Sequence, residues 1–229
     1  MRYSVSHITT LEYAAPVRLA QFNARLRPSP WRGQRLSDYA LSVDPQPATV
    51  AEREGGYYVN EARFSLREPI SQLQIESRFT VEKEPLPARI TDATGPGLAD
   101  LRERAMLKPD LSPLGPASYS FASPIAVPER DIAMWSSAFL SETMPVVEAG
   151  RALMAAIHDQ FAYEAGATVA DTPPIEAFRA RHGVCQDFSH IMIIAARAHG
   201  IPAAYVSGYL RTLPPPGQER LVGADAMDA

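Results

Sequence analysis

Apolar and polar residues alternate from the start of the chain. Tyr3, Val5, His7, Leu11 and Tyr13 share one parity, the mark of a strand with one face buried. The period returns at Phe64 and Leu66, set between Arg63, Ser65 and Arg67. It returns again at Leu73, Ile75, Phe79 and Val81, set among Gln72, Gln74, Glu76, Thr80 and Glu82. Turn signals at Pro28-Ser29-Pro30, Asp44-Pro45 and Gly55-Gly56 separate these runs. The pattern predicts a small antiparallel β-sandwich or sheet over residues 1–84.

A proline-rich passage follows, with Pro85, Pro87, Pro96, Pro109, Pro113, Pro116, Pro124 and Pro128. Proline fixes φ and removes a donor, so long ladders and long helices are both disfavoured here. Residues 85–127 therefore read as a linker that packs over a surface, or as a domain boundary, interrupted by one short helix over Leu98 to Leu107.

From residue 128 the period becomes helical. Pro128 opens a helix reaching about Leu140. Pro145 opens the next, with Val146, Val147, Gly150, Leu153, Met154, Ile157 and Phe161 at helical spacing. Thr172-Pro173-Pro174 reads as a cap before a short helix carrying Phe178. The segment Cys185 to His199 is apolar almost all round, as a buried central helix is, and Gly200 stops it. Ala203 to Leu210 reads as a buried strand.

The chemistry concentrates at Arg181-His182-Gly183-Val184-Cys185-Gln186-Asp187-Phe188-Ser189-His190. Cys185 follows a glycine turn and begins the central helix. A helix N-terminus carries unpaired N–H groups and partial positive charge, which favour thiolate over thiol and can hold an oxyanion. The position suits a nucleophile; a small buried hydrophobe is the other reading of a lone helical cysteine. Five histidines accompany it. His182 lies three residues before Cys185. His190 lies about 140° round the helix from it. His158 and His199 fall at other helical positions and His7 in the first strand, and all five read as structural or solvated.

The segment GVCQDFSH, followed by GIPAAYVSGYLRT, resembles the core motif of bacterial transglutaminase-like proteins of the cysteine protease superfamily. Upstream, Phe161-Ala162-Tyr163 with Gly166-Ala167-Thr168 resembles the family's aromatic-then-GAT segment. Tyr3, His7, Tyr13, Pro16-Val17 and Arg25-Leu26-Arg27-Pro28 resemble its accompanying β-rich domain. The resemblance implies an α+β protein: an N-terminal β domain over 1–84, a linker over 85–127 and a papain-like transglutaminase core over 128–229. It implies Cys185 as the nucleophile of a Cys-His-Asp system, attacking a peptide or protein amide and passing through a thioester. Water or an amine then resolves the thioester, giving hydrolysis or acyl transfer.

The family's Gly-Ala-Asp-Ala-x-His-Ala-Trp stretch is matched by Gly223-Ala224-Asp225-Ala226-Met227-Asp228-Ala229, which puts Asp228 where the family has its base. An aspartate beside a thiol opposes thiolate formation. This supports an alternative reading, a catalytically impaired relative that binds a peptide or partner. The matched core stops short of its C-terminal strands, which predicts an uncovered apolar side on the central helix and self-association.

Composition narrows the rest. The net charge of −4 gives no basic surface for nucleic acid. A single cysteine excludes an internal disulfide and a thiolate metal cage, and fits a reducing cytoplasm. No His-x-x-x-His pair suggests zinc, no acidic loop suggests calcium, and Gly95-Pro96-Gly97 lacks the lysine and helix of a phosphate loop. No cofactor is expected. The apolar run at Ile191 to Ala196 is too short to span a bilayer.

Overall fold

A computed structural model describes residues 1–29, 31, 33–54, 59–84, 95–107, 110, 112, 115–209, 217 and 227–228 of the 229-residue chain. The turn signals at Pro30 and Gly55-Gly56, together with Leu210 and Gly223 to Ala226, lie outside the described residues. The chain divides into two compact units, Met1–Ala88 and Arg89–Ala229.

Among the described residues the first unit carries six antiparallel strands: β1 (Arg2–Val17), β2 (Ala20–Ala24), β3 (Gln34–Asp44), β4 (Val50–Glu54), β5 (Asn60–Leu66) and β6 (Ile70–Lys83). They form two three-stranded sheets, ordered β1-β6-β3 and β2-β5-β4. In β1 the odd-numbered positions from Tyr3 to Tyr13 are half-buried and the even ones exposed, as their alternation requires. Phe64, Leu66, Ile70, Leu73 and Ile75 bury together with Phe22, Leu11 and Val43, so both sheets contribute to one core. Phe22 and Phe64 are cross-strand partners and stack with centroids 5.2 Å apart. The buried hydroxyl of Ser77 donates to the Leu26 carbonyl at 3.0 Å, which satisfies the one polar group that β6 sends inward at that point.

The second unit is helical: α1 (Leu98–Leu107), a 3-10 turn (Pro116–Tyr119), α2 (Arg130–Ser136), α3 (Val146–Gln160), a short strand β7 (Ala162–Tyr163), α4 (Pro174–Ala180), β8 (His182–Gly183), α5 (Cys185–Ala198), β9 (Gly208–Tyr209) and β10 (Met227–Asp228). Helix α5 is central: α2, α3 and α4 all pack on it. Ile191 and Ala195 are fully buried, and Ile193, Ile194 and Ala196 nearly so, among Ile132, Leu153, Ile157 and Phe178. Gly200 follows this helix at φ 73°, the left-handed conformation that ends a helix and that a β-carbon disfavours.

Three local features differ from or add to the expectations. From Gly95 onward the described part of the proline-rich passage packs within the second unit. Leu98, Ala105 and Ala126 are buried. The first N–H groups of α1 are taken by the Met144 and Glu142 carbonyls. Arg197 of α5 donates to the carbonyls of Phe121 and Ala203, so residues 121 and 203 are tied to the same helix. Second, α2 stops at Ser136 instead of reaching Leu140. Ser136 and Ser137 both turn their hydroxyls back onto the Ala133 carbonyl, and the next N–H groups make tighter i−3 bonds. Third, the run from Ala203 to Leu210 is not a buried strand. Residues 204–208 are exposed, and strand geometry is confined to Gly208–Tyr209, paired antiparallel with Met227–Asp228. An apolar run becomes a buried strand only when neighbours cover both faces, and among the described residues this two-residue pair is its only strand neighbour.

Candidate functional site

Three segments meet where α5 begins. Helix α4 ends at Ala180, and Arg181 turns the chain with φ 59° and ψ 25°. This left-handed position usually belongs to glycine or asparagine. Here the arginine is held by stacking: its guanidinium lies 4.3 Å from the Phe178 ring centroid, 4.7 Å from that of Phe161 and 5.9 Å from that of Trp135. The turn delivers β8 alongside β7 in parallel register, with Ala162 opposite His182 and Tyr163 opposite Gly183. The Glu164 N–H donates to the Gly183 carbonyl at 2.9 Å.

Val184 is the extended N-cap of α5, and half-buried Cys185 is its first helical residue. Valine has no side-chain acceptor for the helix start. Asp187 supplies one from the third helical position: its Oδ2 accepts the Val184 N–H at 2.8 Å, and its own N–H donates to the Val184 carbonyl at 3.0 Å. The same oxygen accepts the Thr168 hydroxyl at 2.6 Å. Gln186 donates to the Ala170 carbonyl at 3.0 Å. The loop after β7 is thus tied at two points to the first turn of α5. Thr172, expected as a helix cap, instead accepts the Val169 N–H at 3.0 Å and closes that loop, while Pro173 stands at the cap position of α4.

The histidines have separate partners. His182 Nδ1 lies 3.4 Å from Glu164 Oε2, near enough for charge pairing but without hydrogen-bond geometry. His190 is 9% exposed and stacks on Tyr205 with centroids 4.9 Å apart. Burial pushes its pKa below the ordinary value; the Asp187 charge opposes this and Arg197 adds to it. His199 Nε2 is 3.0 Å from the buried Ser136 hydroxyl, and burial lowers its pKa too. His158 sits on the surface beside Asp159, and His7 pairs with Thr9 within β1. The Asp228 backbone pairs with Gly208, while its side chain lies outside the described residues.

Among the described residues no group of three or more His, Cys, Asp or Glu side chains converges on a metal position, and no helix is long and apolar enough to cross a membrane. An open groove of about 550 Å3 in the first unit is lined by Arg27, Tyr39, Glu52, Arg53, Asn60 and Glu61 among others. Its charges are largely spent on one another, Arg53 on Glu61 at 2.7 Å and Arg27 on Glu52 at 3.5 Å.

Comparison with known proteins accounts for this architecture. Residues 3–82 match the model of the bacterial transglutaminase-like N-terminal region, and residues 134–226 match that of the transglutaminase-like superfamily. The chain belongs to the bacterial transglutaminase-like proteins. Uncharacterized proteins of Mycobacterium tuberculosis and Mycobacterium bovis are each 34% identical to it across its full length, which spans 72% of theirs. One from Mycobacterium leprae is 28% identical over 97% of this chain and 74% of its own. The crystal structure of a candidate cysteine protease from Cytophaga hutchinsonii has the same fold, with a TM-score of 0.69 at 19% identity over 91% of this chain and 67% of that one. In this transglutaminase-like chain, the GVCQDFSH segment and the segment from Phe161 to Thr168 meet at the start of α5.

In the sequence Asp187 and Thr168 stand only as members of motifs. Asp187 could have been singled out, because an acid at the third helical position is the reciprocal half of a capping box. Nothing in the sequence marks Thr168 as its partner, nor Glu164 as the neighbour of His182.

Proposed function

We propose that this transglutaminase-like protein performs thiol-dependent acyl chemistry on a peptide or protein amide, with Cys185 as the nucleophile. The observation that carries the reading is the placement of the chain's single cysteine at the first residue of the buried helix α5, inside the segment that matches the family core. The helix start offers N–H groups to the oxyanion of a tetrahedral intermediate. The sulfur attacks the carbonyl carbon and forms a C–S bond. The C–N bond breaks, and the amine leaves with the proton that the thiol gave up. Water then releases the acid, or a second amine takes the acyl group, and the thiol recovers its proton.

A second reading, a binding module without turnover, is favoured by Asp228, which stands where the family resemblance places the base. One experiment separates the two. The full chain is incubated with a mixture of peptides and a primary amine, and the products are identified by mass. Hydrolysed or amine-exchanged peptides that vanish with Cys185→Ala support the enzyme. Peptides retained unchanged on the protein, with and without Cys185, support the binding module.

A further inference from the structure

We infer that Asp187, acting with Thr168, is a positioning residue for Cys185, an inference that rests on the reading of Cys185 as nucleophile. An acid at the third position of a helix is ordinarily a solvated cap, helpful to stability and indifferent to its neighbours. Asp187 differs in being 1% exposed. A buried carboxylate costs free energy unless its oxygens are satisfied. Here one oxygen is shared between the Val184 N–H and the hydroxyl of Thr168, nineteen residues earlier in the chain. Gly183 leaves the room this requires, since a β-carbon there would come within 2.6 Å of Asp187 Oδ2.

Cys185 is therefore bracketed. Gly183 is fixed by the strand pair with Tyr163, Val184 by Asp187, Gln186 by Ala170, and Asp187 by Thr168. Every one of these ties leads from the turn that carries the sulfur to another part of that turn or to the β7 strand and the loop after it. The benefit to Cys185 is one of geometry. A carboxylate two residues away has the charge that opposes a second anion, so electrostatics alone would argue against an acid here. An amide of the same shape keeps an acceptor for the Val184 N–H and a partner for the Thr168 hydroxyl without the charge.

The single cysteine makes the test direct, because each alkylated molecule is modified at Cys185. The rate of iodoacetamide modification is measured by intact mass on the full chain, folded and in urea, for the unsubstituted protein and for Asp187→Ala, Asp187→Asn and Thr168→Val. Circular dichroism melts establish which variants are folded. The folded protein should react faster than its own unfolded chain. Asp187→Ala and Thr168→Val should lose most of the folded protein's excess rate over its unfolded chain, and Asp187→Asn should recover most of that loss. A folded Asp187→Ala that reacts at the unsubstituted rate would overturn the inference and leave Asp187 a stability residue. If that variant does not fold, Thr168→Val decides: it keeps the Val184 bond and removes only the hydroxyl, and an unchanged rate overturns the inference equally. A folded protein that reacts no faster than its unfolded chain would overturn the nucleophile reading itself, and this inference with it.

Discussion

Gly183 and Asp187 are packed so closely that a β-carbon on the glycine would lie 2.6 Å from the carboxylate oxygen and 3.1 Å from the Asp187 β-carbon. The glycine is needed for space: it has no special backbone angle here, and its neighbour is the buried acid that holds the helix start.

Gly183→Ala should accordingly be costly although alanine is the smallest change available. The carboxylate must move off the Val184 N–H or the β8 strand must shift. Overpacking of this kind costs about 1–3 kcal/mol, and urea unfolding should show a loss in that range. A loss below half of the lower figure would mean that the turn relaxes freely.

Arg181 should matter for stability through its rings more than its charge. Its guanidinium faces Phe178, Phe161 and Trp135, and Trp135 is itself held by a 2.8 Å bond from Nε1 to Gln160. Arg181→Ala should cost about 1–2 kcal/mol in urea unfolding, the range of a partly desolvated cation–π contact. Arg181→Lys should recover only part of it, because an ammonium keeps the charge and loses the planar stacking.

Stability should fall with acidification below neutrality. His190 and His199 both have pKa values lowered by burial from an ordinary value of 6.5. For His190 the Asp187 charge works against the shift and Arg197 with it; for His199, Glu142 and Arg102 play these parts. Between the lowered folded value and 6.5 the unfolded chain holds protons that the folded chain does not, so unfolding gains on folding as pH drops. The contribution is complete above the unfolded value and is lost progressively below it, down to the folded value. Melting temperatures between pH 7.5 and pH 5.5, values chosen to bracket about 6.5, should decline. The decline should be shallower in a variant carrying His190→Gln and His199→Gln. An unchanged slope in that variant would place the effect elsewhere.

Much of the fold is legible in the sequence because it rests on period. The parity of Tyr3 to Tyr13 and of Leu73 to Val81 places the half-buried faces of β1 and β6, and the apolar run after Cys185 places the buried helix. What escapes is set by particular side-chain contacts, local or distant, that no period records. The end of α2 depends on two serines turning their hydroxyls back onto the Ala133 carbonyl. The exposure of Tyr205 and Val206 depends on which strands lie beside them. A left-handed Arg181 is intelligible only once three aromatic rings from α2, α4 and the end of α3 are seen around it. At the site, Cys185 stands out by its position after a glycine. The bond from Thr168 to Asp187 joins two motifs that a linear reading keeps apart.

The Cys185 sulfur should take an acyl group. The most direct measurement offers the full chain p-nitrophenyl acetate, quenches with acid, and reads the mass and the modified peptide over time, in buffer and in urea. One acetyl group should form on Cys185, faster in the folded protein than in the unfolded chain, and none on Cys185→Ala. Acetylation of Cys185 at the unfolded-chain rate, or none at all on the folded protein, would contradict it.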